Sequence, residues 1–176
     1  MAVNYGLGGF ESEFGFAAVS LPLSDPFDLT IPSANTYVNV VDAYLENQVL
    51  GNGSAGIFSN AYHQVDFVDL GKLEVKTSGV YLINYNLTTA DPSNKTVAVR
   101  IIRYTDRENA IGGVQSGYCR SGDQFEIGSN CLSFLNSGDK IYTQITNTDG
   151  DQKVTITSLN ISLVKLNYSG SKSTAE

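Results

Sequence analysis

Two stretches decide the fold: residues 72–87, KLEVKTSGVYLINYNL, and residues 131–166, CLSFLNSGDKIYTQITNTDGDQKVTITSLNISLVKL. Each reads as strand, tight glycine-containing turn, strand. Successive side chains of a strand point to opposite faces. Tyr81, Ile83, Tyr85 and Leu87 therefore share one face, with Val80, Leu82, Asn84 and Asn86 on the other. Near the C-terminus Leu159, Ile161 and Leu163 share a face, opposite Ser158, Asn160 and Ser162, which are followed by Val164 and Leu166. Removing large apolar side chains from water is the main drive of folding, so Tyr81, Ile83, Tyr85, Leu87, Leu159, Ile161 and Leu163 are the predicted core. The opposite side is then a sheet surface of amides and hydroxyls with apolar ends.

Outward from these stretches, segments of six to ten residues rich in Val, Ile, Thr, Tyr and Phe recur between Gly, Asn, Asp and Ser clusters, and helical periodicity is nearly absent. Strands are predicted near 14–21, 36–41, 62–68, 72–77, 79–89, 95–104, 112–119, 130–135, 139–147 and 153–167. Ten short strands at this spacing argue for an all-β sandwich or jelly roll. Residues 22–35 carry Pro22, Pro26 and Pro32 and read as an extended loop, because proline removes ladder donors. The predicted organisation is an N-terminal arm with the first strand over 1–35, a domain over 36–167 and a polar tail over 168–176.

Composition narrows the function. The 176 residues suit one domain, and 41% apolar content is enough for a core. Charged residues are only 16% and the net charge is −7, with no basic cluster. An acidic chain without a basic stripe is a poor partner for nucleic acid or an anionic membrane. No apolar run is long enough to span a bilayer. The first residues, MAVNYGLGGFESEFGF, lack the basic and apolar regions of a signal peptide. The reading is a chain made inside a cell, or one whose leader has been removed.

Residues 79–87 (Gly79, Tyr81, Ile83, Tyr85, Leu87), preceded by a short strand at 73–75, resemble the central motif of the complement globular heads and the tumour-necrosis-factor cytokines. Leu135, Gly138, Asp139, Ile141 and Ile145 match the second motif of these families, and residues 159–166 match their closing strand. The resemblance covers roughly residues 60–166 and implies a ten-stranded antiparallel jelly roll that forms a homotrimer. Carried over by position, it places Leu82, Asn84, Asn86, Ser158, Asn160, Ser162, Val164 and Leu166 on the threefold axis. A face of this kind can also simply be solvated, as antiparallel sheets often are on one side.

Signals for catalysis are weak. His63, the single histidine, has no nucleophile motif near it, and the acids (Asp66 and Asp69, Asp106 and Glu108, Asp149 and Asp151) do not converge in sequence. Residues 147–151, NTDGD, read as a hairpin turn rather than a calcium loop. Cys119 and Cys131 either pair across a hairpin or are two half-buried thiols. Of five Asn-x-Ser/Thr triplets (Asn52, Asn86, Asn94, Asn160, Asn167), two fall on the proposed axis face, so chance is favoured over glycosylation. Loops 42–61, 105–114 and 120–130, with Tyr44, Tyr62, Tyr104, Tyr118 and Tyr168, are the expected recognition segments.

The sequence therefore reads as a non-enzymatic homotrimer without cofactor or metal, binding itself and a protein or glycan on a particle or host surface. A virion surface, decoration or receptor-binding role leads. A secreted complement-head-like or cytokine-like protein is the alternative, and a β-sandwich carbohydrate-active protein the third.

Overall fold

The computed structural model describes residues 16–21, 26–42, 58–62, 65–68, 72–90, 94–150 and 153–166. The strands are β1 (Phe16–Leu21), β2 (Phe27–Thr30), β3 (Val38–Asn39), β4 (Phe58–Tyr62), β5 (Val65–Val68), β6 (Lys72–Val75), β7 (Gly79–Ala90), β8 (Lys95–Tyr104), β9 (Glu108–Cys119), β10 (Gln124–Leu135), β11 (Lys140–Asn147) and β12 (Lys153–Leu166). One sheet runs β10-β7-β12-β1-β4, with β2 also on β12; the second runs β5-β6-β11-β8-β9, with β3 also on β11. Every ladder among the described residues is antiparallel.

The core lies between the two sheets. From the first come Tyr81, Ile83, Tyr85, Leu87, Leu159, Ile161 and Leu163, all buried, and from the second Val97, Val99, Ile101, Ile141 and Ile145. Burial pushes the Tyr81 phenol up to about 12. The Tyr85 phenol also rises to about 12, through burial first and the neighbouring Cys131 thiol second. Both rings are thus neutral core residues at ordinary pH. Their hydroxyls differ: Tyr81 donates to the Thr77 carbonyl at 2.7 Å, whereas the Tyr85 hydroxyl has no partner among the described residues.

β12 changes faces part-way. Its register on β7 shifts between Ile156 and Ser158, leaving Thr157 as an extra residue. Val154 and Ile156 face inward before this bulge, and Leu159, Ile161 and Leu163 after it. Thr157 holds the bulge by donating its hydroxyl to the Thr88 carbonyl at 3.2 Å. Such an insertion reverses the alternation of everything that follows.

The two decisive stretches meet physically. The β6–β7 turn and the β10–β11 turn lie against each other: Gly138 N–H donates to the Val75 carbonyl at 2.7 Å, and Val75 N–H donates to the Asp139 carbonyl at 2.9 Å. The Ser137 hydroxyl donates to the Lys76 carbonyl at 2.7 Å, and Ser137 N–H donates to the Ser78 hydroxyl at 2.9 Å. Asp139, 1% exposed, pins its own turn by accepting from Asn136 N–H at 2.7 Å, and it meets Arg103 Nε at 2.7 Å. The Gly-Asp pair is therefore a corner: Gly138 supplies a φ of 91° and Asp139 caps it.

Several expectations are corrected. The described residues form twelve strands where ten were expected over the chain: Phe27–Thr30 lies inside the region expected to be a loop and pairs with β12 despite the flanking prolines. The strand expected at 62–68 is two strands in different sheets. The one expected at 36–41 shortens to Val38–Asn39, because the Asn39 side chain accepts from the Val41 and Asp42 N–H groups and turns the chain into a helical turn. β9 and β10 begin earlier than expected, at Glu108 and Gln124. The Asp149-Gly150 turn joins strands of different sheets and is not a hairpin: Thr148 N–H still donates to the Thr96 carbonyl at 3.0 Å before the chain crosses the sandwich.

Asp139→Ala should lower stability by about 2 kcal/mol, since it removes the acceptor of the Asn136 N–H and the carboxylate that faces Arg103, and so opens the corner. Urea unfolding measures this, and a loss below about 1 kcal/mol would contradict the corner's role. The two tyrosines should separate in the same assay. Tyr81→Phe should cost about 1 kcal/mol for its lost hydrogen bond, while Tyr85→Phe should be neutral or stabilising.

Candidate assembly interface

The register of β10 and β12 on β7 builds the outer face of the first sheet row by row. Phe134–Val80–Leu166 and Leu132–Leu82–Val164 are two apolar rows. Asn130–Asn84–Ser162, Gly128–Asn86–Asn160 and Glu126–Thr88–Ser158 follow. Side chains directly opposite on one face are nearest neighbours, so each row is a contact set. The core takes the other parity of all three strands, which fixes this parity outward.

The two ends of the face differ. In the apolar block Leu132 is 63% and Phe134 57% exposed, with Val80 and Leu166 at 42%. In the polar rows Gly128 leaves a gap; a Cβ there would stand 2.8 Å from the Tyr85 carbonyl oxygen. Around the gap Asn84, Asn86, Asn130, Asn160 and Ser162 line a groove of about 560 Å³. It continues into a second hollow of about 450 Å³ between Thr88, Gln124, Glu126 and Ser158. Asn86 Nδ2 donates to Glu126, and the Ser158 and Thr88 hydroxyls meet at 3.0 Å. The side-chain amides of Asn84, Asn130 and Asn160 make no hydrogen bond to other described residues. Glu126 is the single ionisable residue in the five rows.

Leu82, Asn84, Asn86, Asn160, Ser162, Val164 and Leu166 thus share one surface, with Ser158 tucked at 7% exposure on its floor. Sequence reasoning missed the contribution of β10: Glu126, Gly128, Asn130, Leu132 and Phe134. A signal is present in residues 131–135, where Leu132 and Phe134 alternate with the small Cys131 and Ser133, but residues 120–130 read as a recognition loop.

The other candidates scatter. His63, Asp69 and Asp151 lie outside the described residues, as do Tyr44 and Tyr168, and nothing is described of the side chains of Tyr62 and Asp66. Asp106 sits in the β8–β9 turn, its carboxyl held low by the Thr105 hydroxyl. Glu108 is structural. It accepts from the Tyr142 hydroxyl at 2.6 Å and from Gln144 Nε2 at 3.1 Å, and Gln144 accepts from Arg100, which stacks on the Tyr37 ring at 3.7 Å. Burial, then Glu108, drives the Tyr142 phenol far up. Among the described residues no three His, Cys, Asp or Glu side chains are grouped to hold a metal, and no helix is long and apolar enough to cross a membrane.

Two further expectations change. The recognition loops 105–114 and 120–130 shrink to turns at 105–107 and 120–123, because the flanking residues are ladder-paired. Cys119 and Cys131 are both free, which removes the disulfide alternative. Cys119 lies beside Thr89 at the β9–β10 turn, whereas Cys131 lies far along β10 against Gly112. Asn94 is exposed, and its side chain accepts from Ser121 N–H at 2.8 Å.

No family model and no curated protein sequence matches the chain. Solved structures do. The Eiger tumour necrosis factor from S. frugiperda superposes with a TM-score of 0.57 at 16% identity, over 92% of this chain and 99% of that one. Murine APRIL gives 0.57 at 13% identity, over 87% and 99%. The fold is therefore the all-β, tumour-necrosis-factor-like sandwich.

Thiol chemistry checks the cysteine geometry. Without reductant, denatured protein should give two titratable thiols per chain. Burial raises the Cys131 thiol and so keeps its thiolate scarce, and Cys119 is sealed in. Native protein at about pH 8 should therefore react several-fold more slowly than denatured protein. Absence of free thiols in the denatured chain would restore the disulfide.

Proposed function

We propose that this protein is a non-enzymatic binding module that acts as a homotrimer through the outer face of its β10-β7-β12 sheet. Its partner is a protein receptor or ligand outside the cell. One observation carries the reading: Val80, Leu132, Phe134 and Leu166 stand exposed around the half-buried Leu82 and Val164, continuous with an amide groove holding a single charge. Soluble monomers rarely leave such a patch uncovered. Amides and hydroxyls with free hydrogen-bonding capacity suit a wet, closely approached contact. The fold supports a threefold arrangement, and one structural neighbour is by name a tumour necrosis factor.

The cytokine-like reading now leads, because the structural neighbours fit it and lend no support to a virion role. A carbohydrate-active site would need converging carboxylates; the groove holds Glu126 alone.

Light scattering at micromolar concentration should give about three times 18.9 kDa. Asn84→Arg and Leu132→Arg should each give monomers with an unchanged far-ultraviolet spectrum, because each places a charge in a desolvated contact. A monomeric wild-type chain, or variants that remain trimeric, would overturn the proposal.

A further inference from the structure

A second ordered arrangement lies on the other side of the molecule, on the outward face of the second sheet. Val99, Ile101, Ile141 and Ile145 point into the core, so Arg100 and Gln144, ladder partners on β8 and β11, point away from it. Arg100 Nε and Nη2 donate to the Gln144 side-chain oxygen at 2.9 and 2.7 Å. Gln144 Nε2 donates in turn to both oxygens of Glu108 at 3.1 Å, and Glu108 accepts from the Tyr142 hydroxyl at 2.6 Å. Gln144 and Tyr142 are each 4% exposed, so this relay is fixed from beneath. The Tyr37 ring covers one face of the guanidinium at 3.7 Å. A long, flexible cation is thereby held in one orientation before any partner arrives.

The relay leaves one edge of the guanidinium unused. Of its five N–H groups, Gln144 takes two. Nη1 and the second hydrogen of Nη2 form the end-on edge, and among the described residues Arg100 makes no ion pair and no other hydrogen bond. Nη1 is unpaired yet not buried, so it faces solvent. On the β9 side the register skips from Val99–Gln115 to Ile101–Ile111, which sets Gly112, Gly113 and Val114 opposite Arg100. Two of these three have no side chain, so little stands beside the guanidinium there.

We infer that Arg100 is a docking point for a single carboxylate, an aspartate or glutamate side chain carried by a protein partner. The inference rests on the reading of this protein as a binding module and gives that module a contact away from its assembly face. Two parallel N–H groups match the two oxygens of a planar carboxylate. A phosphate or a sulfated glycan carries more charge and calls for several cations together. Lys72, in the same cluster, is taken up by Asp42 at 3.7 Å and by the Tyr142 ring at 5.2 Å. The net charge of −7 also repels polyanions.

Side-chain N–H resonances of arginine-labelled protein test the site, because the four arginines supply their own controls. Arg103 is engaged by Asp139, whereas Arg107 and Arg120 are exposed and lack the fixing contacts of Arg100. A capped pentapeptide with one aspartate among glycines should shift the Arg100 signal saturably, with a dissociation constant at least fivefold below those read at Arg107 and Arg120. The same peptide with asparagine should leave it in place. Arg100→Lys keeps the charge and loses the fork, so it should weaken binding at least fivefold on the peptide's own resonances. A response at Arg100 no stronger than at Arg107 and Arg120 overturns the inference, as does tighter binding of inorganic phosphate or a heparin fragment at Arg100. The titration reads the same on a monomer as on a trimer, so loss of the carboxylate site and loss of the homotrimer are told apart.

Discussion

The buried carboxylate of Asp139 is the constraint on which the rest of the sandwich depends. Each long strand of the first sheet is connected in sequence to one of the second, so the chain must repeatedly cross the gap between them. At the corner where β6 passes to β7 and β10 to β11, two crossings are tied together, and Asp139 holds both its own turn and Arg103 on β8. The relative position of the sheets is thereby fixed at one end. The parity of β7, β10 and β12 is set by the apolar side chains they turn into the gap between the sheets, and it decides the surface they show to the outside.

That surface is consistent because of one extra residue. Without the Thr157 bulge, the inward set Val154 and Ile156 would continue as Ser158, Asn160 and Ser162, and the leucines would turn outward. The bulge lets the strand be apolar inside along its whole length while placing Asn160 beside Asn86 and Ser162 beside Asn84. The amide groove and the apolar block next to it are both consequences of this local shift.

Much of this was legible in the chain. Strong period-two alternation at Tyr81–Ile83–Tyr85–Leu87 and at Leu159–Ile161–Leu163 identified the inward faces, because both halves of the pattern are unambiguous there. The decisive Gly138-Asp139 pair was readable as a turn, but its role as the joint between sheets was not, since its partners Val75 and Arg103 are distant in sequence. The failures have particular causes. Gln124–Asn130 reads as a loop because glycine, asparagine and glutamate have low strand propensity, yet its Phe125 and Ile127 pack inward and tertiary pairing with β7 overrides the preference. Phe27–Thr30 was hidden by Pro22, Pro26 and Pro32, none of which falls within the four residues that pair with β12.

β9 and β10 each end their sheet with one ladder neighbour among the described strands, and their composition gives this margin a consequence of its own. β9 and β10 are each twelve residues long, and neither contains lysine, arginine or proline. Proteins usually place such residues on free edges to discourage stray strand pairing. In these two strands the outer backbone donors and acceptors have no ladder partner among the described residues. Whatever covers them guards solubility, a role separate from recognition.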